Sequence, residues 1–161
     1  MTQSEAISDF LTQRKLAVAG VSRNHHKFGF SVYGALKAKG YHVLPVNPHA
    51  ETIGGEQVYK SLEALPEKVD GVVVVVSPLH AQQVVREAFE AGIRRVWMQQ
   101  GSESSGAVSF CEEHGMSVVY GKCILMFAEP VASFHKMHRW LWKVTGKLPR
   151  QATVTGGTSG H

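Results

Sequence analysis

The sequence predicts an α/β fold in which a doubly wound parallel sheet is flanked by helices. Short β-branched segments alternate with helical patterns along the chain, and one segment, Val72–Val76, is an unbroken valine run. A strand that is apolar at every position is buried on both faces, as a parallel sheet covered by helices requires. Strand–helix alternation of this kind implies right-handed crossovers between parallel neighbours.

About five strands and four helices follow from the pattern in chain order. The strands are predicted at 16–20, 42–46, 70–76, 95–98 and 117–120. An amphipathic N-terminal helix is expected over 2–12, and the others over 28–39, 78–91 and 102–114. Ser77 is the expected N-cap of the third helix because Pro78 suits a first helical position.

Composition indicates one globular domain. The chain has 161 residues, 43% of them hydrophobic and 19% charged, which excludes a disordered class. Its apolar runs are too short to span a bilayer, its N-terminus lacks a leader pattern, and two cysteines are too few for a disulfide framework. A cytoplasmic protein is therefore expected.

The net charge of +4 comes from the C-terminal part of the chain. Residues 122–161 hold 6 Lys or Arg against 1 Asp or Glu, whereas residues 1–121 hold 11 against 12. Pro130 begins a helical pattern, so a docking helix is expected at about 129–145 and a flexible tail over 149–161. Basic and aromatic residues alternate in that helix, and packing or an oligomer or protein interface is favoured over nucleic-acid or membrane binding.

The carboxyl ends of the strands are where an open parallel sheet binds its ligand. The loop after the first strand is the most informative, since Gly20 lets backbone approach a ligand and the next helix offers an anion site to phosphates. Arg23 and Lys27 add positive charge there. The G-x-G-x-x-G fingerprint with its acid after the second strand is absent, which weakens NAD binding, and the Walker pattern is absent as well.

Several motifs in this order carry a family resemblance. They are A-V-A-G-V-S, H-V-L-P-V-N-P, V-Y-K-S-L-E-A-L-P, D-G-V-V-V-V-V-S-P and V-W-M-Q-Q-G. Over about residues 12–125 the chain resembles the stand-alone CoA-binding domain family, itself similar to the N-terminal domain of succinyl-CoA synthetase α-subunits. The resemblance implies a Rossmann-like fold, with residues 1–148 as one CoA-binding domain.

The same resemblance implies a coenzyme A site built from several loops. The CoA phosphates would meet Gly20, Val21 and Ser22, with Arg23 and Lys27 as charge partners. The adenosine side and the rest of the crevice would be lined by Pro45, Val46, Asn47, Pro48, Ser77, Pro78, Gln99 and Gln100.

Catalytic and metal-binding residues are not predicted. His25 and His26 are candidates for phosphate contacts, while His135 and His138 lack a second pair of ligands and are expected to be ordinary helix residues. Cys123 follows the fifth strand near the expected crevice, and a mixed disulfide with the CoA thiol is a hypothesis; a small buried cysteine is the simpler interpretation.

Three functions stay open from the sequence. The leading prediction is non-catalytic binding of coenzyme A or an acyl-CoA, as a carrier, sensor or partner module. One alternative is an enzyme, either an NAD(P)-linked oxidoreductase or an acyl-CoA ligase subunit. The other is a ligand-sensing nucleic-acid binder that uses the basic C-terminal segment, and the near-neutral charge of residues 1–121 argues against it.

Overall fold

A computed structural model describes residues 1–21, 28–49 and 52–130. The strands are β1 (Lys15–Ala19), β2 (His42–Val46), β3 (Thr52–Ile53), β4 (Glu56–Gln57), β5 (Gly71–Val74), β6 (Arg95–Gln99) and β7 (Ser117–Lys122). The α-helices are α1 (Gln3–Leu11), α2 (Phe28–Ala38), α3 (Pro78–Glu90) and α4 (Ser105–Glu113). Single 3-10 turns lie at Leu62–Ala64 and Ile124–Met126.

Five strands form one parallel sheet in the order β2-β1-β5-β6-β7. Strand β2 lies on one side of β1. After β2 the chain returns past β1, and β5 lies on the other side of β1, followed by β6 and β7. This reversal makes the gap between β1 and β5 the topological switch point of the sheet. The predicted Rossmann-like α/β fold is confirmed.

Each face of the sheet carries two helices and its own apolar core. The helices α1 and α2 pack on the face that presents Leu16, Val18, Val73 and Trp97. The helices α3 and α4 pack on the opposite face, and that core contains the side chains of Ala17, Ala19, Val72, Val74, Val96 and Met98. On β1 this second face therefore bears alanines, while β5 bears valines, so the α3 side of the sheet is thinner over β1.

Local side-chain contacts explain where α1 and α4 begin. The Thr2 hydroxyl accepts from the Glu5 N–H and the Glu5 carboxylate accepts from the Thr2 N–H, which is a complete capping box. The Ser104 hydroxyl accepts from the Ala107 N–H, so α4 starts three residues later than the pattern predicted. Ser102 instead turns back, and its N–H donates to the Gln99 carbonyl.

The third helix begins at Pro78, as predicted, but not by the predicted capping contact. Ser77 occupies the N-cap position, yet its side chain accepts no bond from the helix backbone. Its hydroxyl instead lies 3.0 Å from Nδ1 of His80. The proline ring at the first helical position, with its fixed φ, accounts for the start of this helix.

The sequence pattern missed one hairpin and overextended one strand. Strands β3 and β4 pair across Gly54 and Gly55, which both have positive φ and so match a two-residue type I′ turn. Strand β5 ends at Val74 rather than Val76, because the sheet partner β1 ends one residue before Gly20. In the described part of the chain no helix is long and apolar enough to cross a membrane. The docking helix predicted at 129–145 and the tail at 149–161 lie outside the described residues.

Candidate functional site

Gly20 closes β1 at the switch point and permits an unusually tight packing of three segments. Its φ is +110°, a conformation that residues with a side chain rarely adopt. A Cβ at this position would collide with the carbonyl oxygen of Val75, and one at Gly29 in α2 would collide with the carbonyl oxygen of Gly20 itself. Both glycines are thus required for α2 and the end of β5 to approach the carboxyl end of β1.

Asn47 fixes the loop at the end of β2 against the end of β1. Its Nδ2 donates to the Val21 carbonyl at 2.6 Å, and its Oδ1 accepts from the His49 N–H at 2.8 Å. The N–H groups of Gly20 and Val21 both reach the Val46 carbonyl, at 2.9 and 3.4 Å. The two strand ends are consequently held as one unit beside the switch point.

A groove opens beside this unit, between α3 and the segment that follows the β3–β4 hairpin. We call it the α3 groove; its volume is about 310 Å³, and it is lined by Ala19, Gly20, Val46, Asn47, Pro48, His49, Lys60, Leu62, Val76, His80, Gln83, Val84 and Glu87. The floor is apolar and includes the small Ala19 side chain. The walls carry the polar groups. Such a slot accepts a flat apolar ring with polar substituents at its edges.

The segment that carries Lys60 is tied to the carboxyl end of β2 by a parallel bridge. Tyr59 donates its N–H to the Pro45 carbonyl at 2.9 Å, and the Asn47 N–H donates to the Tyr59 carbonyl at 2.9 Å. The next turn is capped by the Ser61 hydroxyl, which accepts from the Ala64 N–H. The backbone of the exposed Lys60 is therefore fixed at the rim of the α3 groove.

Comparison with known proteins assigns the chain to a family. A family model described as a CoA binding domain matches residues 14–129. The chain belongs to the CoA-binding domain family. A conserved hypothetical protein from Pyrococcus furiosus has the same fold, with a TM-score of 0.67 and 42% identity over 70% of this chain and 97% of its own.

Two curated relatives differ greatly in length. The α-subunit of an ADP-forming acetate–CoA ligase II from Pyrococcus furiosus is 29% identical over 126 residues, which is 71% of this chain but only 28% of the ligase subunit. The uncharacterized protein YneT from Bacillus subtilis is 28% identical over 111 residues, or 69% of this chain and 82% of YneT. The region that matches this chain thus spans just over a quarter of the ligase subunit but most of YneT.

The α3 groove gathers some of the residues that the sequence predicted for the coenzyme site. Gly20, Val46, Asn47 and Pro48 line it directly. Val21 is fully buried and does not line the groove, and its carbonyl accepts from Asn47. Pro45 lines another cavity, beside Tyr41 and Glu56. The exposed Ser77 and Pro78 stand just before His80 at the start of α3. Ser22, Arg23, Lys27, His25 and His26 lie outside the described residues.

Gln99 and Gln100 lie at the other half of the sheet edge. Gln99 is 1% exposed, its Oε1 accepts from the Ile124 N–H at 2.7 Å, and its Nε2 donates to Sγ of Cys123 at 3.4 Å. Gln100 is exposed and its N–H donates to the Lys122 carbonyl. Neither residue lines the α3 groove, so a contact of either one with a ligand stays a prediction.

The two cysteines differ in chemical availability. Cys111 is fully buried in the core on the α3–α4 face, and burial raises the pKa of its thiol to about 12. Cys123 is partly exposed beside Gln99. Within the described ranges no group of three His, Cys, Asp or Glu side chains is arranged to hold a metal ion. The mixed disulfide of Cys123 with a CoA thiol remains a hypothesis.

Sequence reasoning missed the helix wall of the groove and Lys60. Val84 is only partly buried and lines the groove. His80, Gln83 and Glu87 share its side of α3, and none of the four was among the predicted site residues. Positions 80, 83, 84 and 87 follow the i, i+3, i+4, i+7 spacing, which places them on one face of α3 but does not show what that face meets.

Proposed function

We propose that this protein binds coenzyme A or an acyl-CoA at the carboxyl edge of its sheet and acts as a carrier, sensor or partner module. The observation that carries this proposal is the α3 groove, which adjoins Gly20 at the switch point of a CoA-binding domain chain. In doubly wound sheets this is the position where nucleotide ligands bind. Residues 1–148 are proposed as the unit that holds the ligand.

The chemistry of the groove suits the adenosine end of coenzyme A. Its floor of Ala19, Val46, Leu62 and Val76 offers an apolar surface to a purine ring. Gly20 lies against the first turn of α2, and the N-terminus of a helix after the first strand attracts the diphosphate of a nucleotide. The purine and the diphosphate of one CoA molecule therefore both find a matching surface.

The polar groups of the groove support binding more than catalysis. The contact between Ser77 and His80 joins residues three positions apart, and in the described ranges no carboxylate bonds His80 to orient its ring. The Glu87 carboxylate is bonded by the Gln83 amide at 3.3 Å instead of facing a nucleophile. The constellation of a nucleophile, base and orienting group is thus not assembled by these residues.

A ligase subunit is the second candidate, and the relatives favour it. The ADP-forming acetate–CoA ligase II α-subunit matches this chain over 28% of its own length. The two candidates share the CoA site and differ in catalysis. Formation of acetyl-CoA by the purified chain from acetate, ATP and CoA would overturn the non-catalytic role.

Thermal-shift titration with CoA, acetyl-CoA, NAD, NADP and ATP tests the proposed ligand. A ligand at a hundred times its Kd stabilises the native state by about 2.7 kcal/mol, which raises the Tm of a chain of this length by about 5 to 10 °C. We expect that shift with CoA and acetyl-CoA. A shift with NAD or NADP and none with CoA would overturn the proposal in favour of an oxidoreductase.

A pair of tryptophan substitutions tests the location of the site. Gln83 is an exposed residue of α3 that lines the groove, so Gln83→Trp places an indole where the adenosine is proposed to bind. Glu90 is exposed on the same helix two turns later and lies outside the groove, which makes Glu90→Trp the matched control. We expect calorimetry to show CoA affinity reduced at least about thirtyfold in Gln83→Trp, the loss of about 2 kcal/mol of binding free energy, and unchanged in the control.

A further inference from the structure

The two ends of the α3 groove carry opposite chemistry. His80 stands in the first turn of α3, and Glu87 follows seven residues later, about 10 Å further along the helix axis. Lys60 and His49 lie at the end nearest the carboxyl edge of the sheet, where Tyr59 and Asn47 hold their backbone. One end of the groove is therefore lined by an ammonium and two imidazoles, and the other by a carboxylate.

Lys60 has the position and the freedom of a ligand-binding cation. Its backbone is fixed by the bridge between Tyr59 and the end of β2, while its side chain is exposed at the groove rim. Within the described part of the chain no carboxylate pairs with it, in contrast to Lys15, which pairs with Glu67, and Lys37, which pairs with Glu56. The ammonium is consequently open to an anionic group.

The loop after β2 is where dinucleotide-binding folds place an acid that accepts bonds from a free ribose hydroxyl. In this chain β2 is followed by Asn47, Pro48 and His49, and the Asn47 Oδ1 is already occupied by the His49 N–H. In residues 47–49, the part of this loop that the structure describes, a free hydroxyl pair finds no carboxylate, whereas a phosphate finds Lys60 and the two imidazoles. Positive charge in place of the acid matches a ribose that carries a phosphate monoester.

We propose that Lys60 is the specificity-determining residue that selects ligands with a phosphate monoester on the adenosine ribose. This inference rests on the proposed binding of coenzyme A, whose ribose carries a 3′-phosphate. The phosphate meets the Lys60 ammonium at the cationic end, and the adenine extends toward Gln83 and Glu87. The Glu87 carboxylate repels a phosphate at its own end and accepts from an exocyclic amine, so it fixes the direction in which the adenosine lies.

Calorimetry with CoA and 3′-dephospho-CoA tests this selection, because the two differ only in that phosphate. We expect the wild-type protein to bind CoA about tenfold or more tightly, as charge-assisted bonds to a phosphate provide. Lys60→Gln should reduce that ratio to about twofold, because it weakens the binding of CoA far more than the binding of 3′-dephospho-CoA. Lys60→Arg should keep most of the ratio, and raised salt should lower the ratio in the wild type and Lys60→Arg but not in Lys60→Gln.

Lys68→Gln is the matched control, since Lys68 is an equally exposed lysine placed before β5 at the opposite edge of the sheet. It should leave the ratio at its wild-type value. If the wild type binds both compounds equally, or if Lys60→Gln and Lys68→Gln behave alike, the role of Lys60 is wrong although CoA binding stands. If neither compound binds the wild type, the proposed function itself fails.

Discussion

The carboxyl edge of the sheet has an open half and a closed half. At the ends of β1 and β2, Ala19 and Gly20 line the open α3 groove. At the ends of β6 and β7, the fully buried Trp97 donates its Nε1 proton to the Lys122 carbonyl, and Gln99 bonds the Ile124 backbone. Both halves end in polar residues, but those of the closed half already form hydrogen bonds to backbone groups of neighbouring segments.

The difference between the open and closed halves shows that a polar residue at a strand end is not by itself a ligand contact. Gln99 and Asn47 are both amides in that position, and both bond backbone groups of a neighbouring segment. Gln99 is 1% exposed, whereas Asn47 is partly exposed and lines the groove. What separates the two halves is the space beside the amide, which the covering helix determines.

The largest effect is expected from Gly20→Ala, which breaks the open half. The new Cβ collides with the Val75 carbonyl oxygen and also strains a backbone with φ of +110°. We expect the free energy of unfolding to fall by about 4 kcal/mol or more, since backbone atoms cannot give way cheaply. Urea denaturation measures this loss.

Gly92→Ala is the control for backbone strain alone. Gly92 has a φ of +85°, and a Cβ there meets no atom within 4 Å. Its cost should be about 1 kcal/mol. Equal losses in the two variants would contradict the close packing assigned to Gly20.

Gln99→Ala tests the closed half, and its effect on the free energy of unfolding should be the next largest. The substitution leaves the buried Ile124 N–H without its acceptor and opens a cavity beside it. We expect a loss of about 3 kcal/mol in unfolding free energy, from the unpaired donor and the lost packing together. CoA affinity of the folded protein, measured by calorimetry, should stay within twofold. A selective loss of affinity at full stability would instead place Gln99 in the binding site.

Asn47→Ala is the counterpart of Gln99→Ala, because it removes the corresponding side-chain amide from the open half. The bonds to the Val21 carbonyl and the His49 N–H both disappear. We expect about 1.5 kcal/mol of destabilisation, typical of partly exposed hydrogen bonds. CoA affinity should also fall, by about fivefold, since the loop that walls the groove loses its tether. Stability loss without any loss of affinity would show that this loop does not shape the site.

The smallest effect is expected outside the groove, at Glu56 of the β3–β4 hairpin. Hydrogen bonds from Lys37 and then Tyr33 lower the pKa of its carboxyl below the usual value of 4.5. A lowered native pKa adds stability above the unfolded-state pKa, and that stability is lost as pH falls through the lowered native value. Glu56→Gln should therefore cost under about 1 kcal/mol at pH 7.

Denaturation of the wild type and Glu56→Gln at pH 7 and below pH 4 measures this difference. The gap between the two proteins should shrink as pH falls, because protonation removes the same charge that the substitution removes. A gap that is unchanged at low pH would show that the carboxylate charge contributes nothing to the hairpin contact.

The sheet could be predicted from the sequence because buried parallel strands leave a direct pattern. The strand pattern predicted the carboxyl edge of the sheet, and the family resemblance named Gly20, Val46, Asn47 and Pro48 there. These four residues line the α3 groove, and their contact with a ligand stays a prediction. The hairpin was missed since strands of two residues show no periodicity. Its Gly54–Gly55 turn was the available signal.

The groove itself could not be predicted, because it depends on how α3 lies across the sheet. A helical pattern shows which residues share a face, but not whether that face meets strands with alanine or with valine beneath it. Val84 and Glu87 therefore gave the same signal as any helix residues. Lys60 lies far from β2 in the sequence and reaches it only through the bridge of Tyr59 to Val46.

The most direct test of the open and closed halves is a titration of 15N-labelled protein with CoA, followed by amide chemical shifts in NMR spectra. We expect the largest changes in amide chemical shift at Gly20, Asn47, Lys60 and Gln83, which line the α3 groove. The amides of Gln100 and Ile124 in the closed half should change little. Changes centred on Gln100 and Ile124, with the groove residues unmoved, would contradict the assignment of the ligand to the open half.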